Sequence, residues 1–257
     1  MKVEAEFMRR IAAAAAAQTL PRFRQAGLVD NKLAAGFDPV TEADREAEQA
    51  IRALIRSEFP DHGIHGEEFG LENADSRHVW VIDPIDGTRA FISGLPLWGT
   101  LVGLTDGGDA VAGMMSQPFT GELFWADGEQ SRYDGPGGAK LLSTRRTKTL
   151  AEATMCTTTP ALFLDTKRAA YDRVEKIVRL ARYGTDCYAY AMLAAGNIDL
   201  VVETGLQPYD IVALVPIIER AGGVITTWDG GPAEKAGDIV AAATPELHEA
   251  ALELLNR

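Results

Sequence analysis

Trp80-Val81-Ile82-Asp83-Pro84-Ile85-Asp86-Gly87-Thr88 is the stretch from which the rest of the chain can be read. Val79 to Ile82 has the apolar, β-branched character of a compact buried strand. The acids come just past its end, where a scaffold can hold side chains rigidly around a ligand. Pro84 fixes its own φ and biases Asp83 toward an extended backbone. Gly87 permits a tight path and a close approach, and Thr88 opens a further helical turn. Two carboxylates with the Ile85 carbonyl between them suit a hard, oxygen-seeking cation such as Mg²⁺. Taken alone, Asp-Pro and Asp-Gly also fit a plain turn.

Working outward, three strand-like stretches follow, at Leu97 to Leu104, Ala110 to Gln117 and Leu123 to Ala126. Asp106-Gly107-Gly108-Asp109 reads as the hairpin turn between the first two. Upstream, Val3 to Leu20 reads as a helix stopped by Pro21, followed by a polar connector through Gly36. Thr41 is a candidate N-cap with Asp44 closing a capping box. Ala43, Ala47, Ala50, Ile51, Leu54 and Ile55 then recur at helical spacing as far as Phe59-Pro60-Asp61. Residues 1–134 therefore read as a helix pair packed on a largely antiparallel sheet.

The segment from Ser131 to Ala139, with Asp134, Gly135, Pro136, Gly137 and Gly138, is the candidate boundary or surface loop. Residues 135–257 alternate strands (Ala139–Leu142, Ala153–Thr158, Leu200–Glu203, Gly223–Thr226, Ile239–Ala242) with helices (Lys167–Leu180, Asp186–Ala195, Asp210–Ala221, Glu246–Asn256). That is a second α/β portion, and the two together are expected to form one catalytic unit of α/β (α+β) class.

Composition excludes several classes. The 257 residues are 46% apolar and 24% charged, as in an ordinary globular protein. A formal charge of −12 argues against a general nucleic-acid or anionic-membrane surface, though bound cations could reverse the sign locally. Cys156 and Cys187 are too few for a disulfide framework and form no CxxC pair. No run of 18 apolar residues exists, and the alanine-rich N-terminal run is too short and too acidic at its start for a signal peptide. The cytoplasm is the expected location, with neither nucleic acid nor membrane as partner. No Gly-Lys-Ser/Thr loop supports an ATPase.

Other acids stand apart in sequence. Gly66-Glu67-Glu68 reads either as a solvated turn or as ligands. Asp210 begins an apolar helix, where a cap is the plain reading. Asp38 precedes Pro39, again a turn position.

Together these motifs carry a resemblance. Asp38-Pro39-Val40-Thr41-Glu42-Ala43-Asp44, Gly66-Glu67-Glu68, Asp83 to Thr88, and Tyr209-Asp210 followed by Ala221-Gly222-Gly223 occur in the order found in the inositol monophosphatase superfamily of metal-dependent phosphatases. The resemblance implies that superfamily's layered sandwich. It also implies a metal set of Glu67, Asp83, the Ile85 carbonyl, Asp86 and Asp210, with Asp83 bridging two Mg²⁺ ions. Gly87 and Thr88 would cradle phosphate, and Asp38 and Thr88 would orient the attacking water, with Glu67 in the catalytic set. Asp44 is assigned to the capping box instead. A small phosphate monoester is the expected partner, and a homodimer the expected assembly.

Within the superfamily the chain most resembles the histidinol-phosphate phosphatases. Ala90 stands where inositol phosphatases usually have Asn, Gln117-Pro118 matches that group, and Gly184-Thr185-Asp186-Cys187-Tyr188 has an acid in place of a small residue. Asp186 and Glu203 are thereby placed near the leaving group. Asp186 could attract a substrate ammonium, or merely cap its helix. Arg182 is a further candidate for substrate or subunit contact. The implied reaction is Mg²⁺-dependent hydrolysis of L-histidinol phosphate in histidine biosynthesis. The alternatives are an inositol-1-phosphatase or broad sugar-phosphate phosphatase, and a catalytically silent metal- or phosphate-binding regulatory protein.

Overall fold

The computed structural model describes residues 3–25, 29–31 and 39–257. In chain order the elements are α1 (Ala5–Thr19), β1 (Val29–Asn31), β2 (Pro39–Thr41), α2 (Glu42–Glu58), β3 (Gly63–Gly66), β4 (Gly70–Glu72) and β5 (His78–Asp86). There follow α3 (Thr88–Ile92), β6 (Gly99–Asp106), β7 (Asp109–Gln117), β8 (Glu122–Ala126), β9 (Ser131–Asp134) and β10 (Lys140–Leu141). The second half holds β11 (Thr154–Thr157), α4 (Asp165–Glu175), β12 (Leu180–Tyr183), α5 (Asp186–Ala194), β13 (Leu200–Leu206) and α6 (Pro208–Ile211). It ends with α7 (Leu214–Arg220), β14 (Val224–Thr227), β15 (Gly237–Ala242) and α8 (Pro245–Leu255).

Two main sheets organise these elements. One has eight strands in the order β10-β9-β8-β7-β6-β5-β3-β4, and is antiparallel except where β3 runs parallel to β5. The other has five, in the order β12-β11-β13-β15-β14, with β11 parallel to both neighbours. The period-two alternation of strand side chains sorts the core into layers. Trp80, Ile82, Val102, Leu104 and Met114 face α1 and α2. Their neighbours Val81, Leu101 and Met115 face the opposite way, toward α5 and α7 and the inner face of the second sheet at Val201 and Ile239. On that sheet's outer face Met155, Leu200, Val202 and Val240 pack with α4 and α8. The result is a helix–sheet–helix–sheet–helix sandwich, the layered α/β architecture expected from the sequence.

Helix α2 begins as read: Thr41 Oγ1 accepts from Ala43 N at 3.1 Å, and Asp44 Oδ2 accepts from Thr41 N at 2.8 Å. The hairpin turn at Asp106–Asp109 is also present. Five expectations need correction. The strand read as Val79–Ile82 runs on to Asp86, because a bulge between Asp83 and Asp86 absorbs the proline within the ladder. Half of the supposed loop Ser131–Ala139 is β9, since Ser131 and Tyr133 alternate inward and the Tyr133 ring packs against Phe124 at 5.1 Å. Lys140–Leu141 then pairs with β9 in the first sheet and not in the second. The division at 134/135 falls in the loop of that hairpin. The helix read as Lys167–Leu180 ends at Glu175, and Leu180 opens the edge strand β12.

The helix read as Asp210–Ala221 is two pieces, α6 and α7, broken at Val212-Ala213. The break follows from a close approach. Gly103 and Gly113 are cross-strand partners on β6 and β7. A Cβ on Gly113 would lie 2.0 Å from the Ala213 carbonyl oxygen, and one on Gly103 2.8 Å from the Ala213 nitrogen. The paired glycines leave a flat seat on the sheet, and the backbone between α6 and α7 rests on it.

Candidate active site

The bulge in β5 re-aims its last residues out of the sheet. Thr100 Oγ1 donates to the Pro84 carbonyl at 2.8 Å, which anchors the turn. The Ile85 amide donates to Asp83 Oδ1 at 3.0 Å, and Thr88 Oγ1 donates to the Ile85 carbonyl at 3.0 Å. Gly87, at φ 82°, turns the chain into α3 in a left-handed conformation that an L side chain rarely takes.

Three carboxylates meet at this turn. Oxygens of Asp83, Asp86 and Asp210 lie within 4.8 Å of one another, Asp210 arriving from the short helix α6. Glu67 directly follows β3, and its amide donates to the Ile82 carbonyl at 3.1 Å, so the β3/β5 pairing sets it beside Asp83. Burial pushes the Asp83 carboxyl well above its usual range, and the charges of Glu67, Asp86 and Asp210 push it further. Asp86 is raised by burial first, then by Asp186 and Asp210. A group of acids this close repels itself unless a cation compensates it. The donors are all oxygens and the Ile85 carbonyl lies between two of them, so the set fits a hard divalent cation.

Next to the acids opens a cavity of about 580 Å³, lined among others by Asp86, Asp210, Thr158, Asp186, Lys167 and Glu203. Asp186 is the first residue of α5, with Thr185 and not Asp186 in the capping position. Its backbone has φ 43°, and its Oδ2 lies 3.3 Å from where a Cβ on Gly87 would sit. The following amide, Cys187 N, donates to Asp86 Oδ2 at 2.7 Å and ties the two halves of the chain together at the site. Burial raises Asp186, while its bond to Thr158 and the charge of Arg89 pull the other way. Glu203 is 2% exposed and accepts from Thr158 N at 2.5 Å, Thr158 Oγ1 at 3.0 Å and Thr157 Oγ1 at 3.2 Å. Burial nevertheless takes it up to about 8.

Of the residues singled out from sequence, Glu67, Asp83, Ile85, Asp86, Gly87, Thr88, Asp186, Glu203 and Asp210 thus gather around one turn and one cavity. Asp210 also caps, as its plain reading had it: Oδ2 accepts from Gln207 N at 2.7 Å. Arg182 is not brought in. It lies exposed on the edge strand β12, opposite Cys156, one strand outside the β11 and β13 ends that form the cavity wall. Asp38 lies outside the described residues.

Two residues escaped the sequence reading. Glu48, fully buried on α2, accepts from Glu68 N at 2.7 Å and Phe69 N at 3.3 Å, and pairs with Arg52 Nε at 2.7 Å. It grips the turn that carries Glu67, passing so close to Gly66 that a Cβ there would be 1.9 Å from its Oε1. A charged residue on the inner face of an amphipathic helix was the available signal. Asp44, read as a cap alone, is 1% exposed and is raised to about 6, chiefly by burial, with the Glu67 charge contributing. It therefore also borders the site.

A chain with this sandwich and acid cluster has many relatives. The family model described as "Inositol monophosphatase family" matches residues 2–257. The bifunctional phosphatase IMPL2, chloroplastic, of Arabidopsis thaliana is 43% identical over 234 residues, covering 86% of this chain and 66% of that protein. A histidinol-phosphatase of Streptomyces coelicolor is 34% identical over 96% of this chain and 94% of its own length. Among solved structures, an inositol monophosphatase from Zymomonas mobilis superposes with a TM-score of 0.87 at 39% identity, covering 98% of this chain and 97% of the other. With the family model spanning nearly its whole length and relatives of this closeness, the chain belongs to the inositol monophosphatase family and is a phosphatase of that family.

Proposed function

We propose that this phosphatase hydrolyses L-histidinol phosphate to L-histidinol and phosphate with Mg²⁺ as its cofactor, serving histidine biosynthesis. The observation that carries the reading is Asp186, an acid in the cavity wall beside the metal carboxylates. A polyol phosphate offers that carboxylate only hydroxyls, whereas an aminoalkyl phosphate offers an ammonium and a charge-assisted hydrogen bond. Glu203 adds a second acid on the same wall. The similarity to a histidinol-phosphatase supports the same choice.

Glu67, Asp83, the Ile85 carbonyl, Asp86 and Asp210 would hold the cation. Bound there, Mg²⁺ would neutralise phosphoryl charge and acidify an attacking water. The Thr88 hydroxyl, with its proton spent on the Ile85 carbonyl, is left to accept a hydrogen bond from that water. The Gly87 turn keeps backbone close to the phosphoryl position without a side chain in the way. Asp186 and Glu203 orient the leaving group. A cytoplasmic homodimer completes the proposal; its mass in solution is the check.

The experiment is phosphate release from the purified protein with Mg²⁺, comparing histidinol phosphate with inositol 1-phosphate, plus a chelated control. Histidinol phosphate should show the higher kcat/KM, and chelation should abolish it. Asp186→Ala should cost roughly tenfold or more on histidinol phosphate, the scale of a charge-assisted hydrogen bond, and much less on inositol 1-phosphate. Equal losses on both would count against the role of Asp186. A preference for inositol 1-phosphate would sink the substrate assignment and favour the inositol phosphatase alternative.

A further inference from the structure

The cavity beside the acids has one wall that the hydrolysis reaction does not require. Leu162 and Leu164 line it, yet Leu164 is 67% exposed and Leu162 40%. The residue between them anchors the segment. Phe163, 2% exposed, is sunk into the outer core, stacked on Tyr171 with centroids 4.4 Å apart and on Trp228 at 5.9 Å. The backbone around it is extended, with φ/ψ of −79°/114° at Phe163 and −106°/154° at Leu164. Side chains on extended backbone alternate, so the inward Phe163 drives Leu164 outward, into the cavity, while Leu162 lines it from the last residue of the 3₁₀ turn Pro160–Leu162.

The wall is also stiff. Thr159 Oγ1 accepts from Ala161 N at 3.3 Å, the Arg168 guanidinium donates to the Pro160 carbonyl at 3.2 Å, and Lys167 N donates to the Leu164 carbonyl at 3.0 Å. Asp165, the next residue, lines the same cavity and has φ 49°. Two leucines and the Asp165 carboxylate thus share one cavity with Asp186 and Glu203. A polyol gains nothing from the leucines. A leaving group with a flat apolar ring, an ammonium and a ring N–H would use all of these groups.

We propose that Leu162 and Leu164 determine specificity by receiving a heteroaromatic ring of the leaving group, with Asp165 accepting from a ring N–H while Asp186 and Glu203 take the ammonium. This deepens the histidinol phosphate reading and rests on it for the identity of the ring, an imidazole. The wall itself recognises a ring on any alkyl phosphate that reaches the acid cluster.

The test uses four esters: histidinol phosphate, 3-(imidazol-4-yl)propyl phosphate (ring without ammonium), 2-aminopropyl phosphate (ammonium without ring) and propyl phosphate (neither). Leu164 is a surface side chain, so Leu164→Asn leaves the fold intact, which the melting curve checks. The variant should raise KM for both ring-bearing esters by about five- to tenfold, from the apolar area left uncovered, with kcat little changed. KM for the two ringless esters should stay within about twofold. Asp165→Asn should raise KM for the ring-bearing esters alone. An equal rise on all four esters, or none on the ring-bearing pair, would overturn the proposal. So would a change of molecular mass with Leu164→Asn, which would make the leucines a contact between copies. If the wild-type protein prefers inositol 1-phosphate, the histidinol reading fails separately. The comparison of imidazolylpropyl with propyl phosphate then still decides the wall.

Discussion

Glu203 shows how burial and function compete at a single residue. Three donors from Thr157 and Thr158 favour its charged form, yet burial wins and lifts it from the usual 4.5 to about 8. A carboxyl whose folded pKa is raised stabilises the fold fully below its unfolded pKa and loses that contribution as pH rises through the folded one. Asp83, Asp86 and Asp186 are raised in the same direction. The metal-free protein should therefore melt at progressively lower temperature as pH rises from 4.5 toward about 8. Glu203→Gln should flatten part of that fall; an unchanged slope would show that Glu203 ionises freely. The residues of this site differed in how far the sequence exposed them. Asp83, Asp86 and Thr88 share one short turn, so their proximity is local and could be read. Glu48 acts on Glu68 and Phe69 from 20 and 21 positions away, and only the packing of α2 beneath the β3 turn reveals it. Asp44 satisfied a capping pattern completely, which hid its second neighbour, Glu67.

Among the elements, α6 carries the ligand whose position depends most on packing. Its four residues could not hold Asp210 in place on their own; the seat formed by Gly103 and Gly113 under Ala213 does so. Gly113→Ala should force the backbone off this seat, at a cost of roughly 1–3 kcal/mol typical of an overpacked core. It should also weaken Mg²⁺ affinity measured by titration calorimetry, because α6 must shift with Ala213. A variant less stable but with unaltered Mg²⁺ affinity would show that Asp210 is positioned by something else. The break between α6 and α7 was missed because residues 211–215 are apolar and helix-compatible; Pro216, in the first turn of α7, was the one local signal, and two glycines a hundred positions earlier seat the break. The strand β12 was absorbed into the preceding helix for a similar reason, since Leu180 continues that helix's apolar spacing and only pairing with β11 decides otherwise. The helix start at Thr41 and the Asp106–Asp109 hairpin, whose chemistry is local, were legible.

At the scale of the molecule, the site is a seam. Asp83 and Asp86 come from the eight-stranded sheet, Asp210 and Asp186 from the middle helical layer, and Glu203 from β13 of the five-stranded sheet. A cation held there should stabilise the whole sandwich and not one layer. At a hundredfold excess over its Kd, Mg²⁺ should add about 2.7 kcal/mol, seen as a single melting transition moving upward; two transitions, only one of them Mg²⁺-sensitive, would contradict this. The bond from the Cys187 amide to Asp86 has a practical consequence. The Cys187 thiol is buried, with its pKa pushed well up by that burial and by the neighbouring Asp86 charge, so it resists alkylation while the seam is closed. Its labelling rate is thus a built-in gauge: with a maleimide and a mass spectrometer, cation occupancy could be followed through one sulfur atom, without substrate and without turnover.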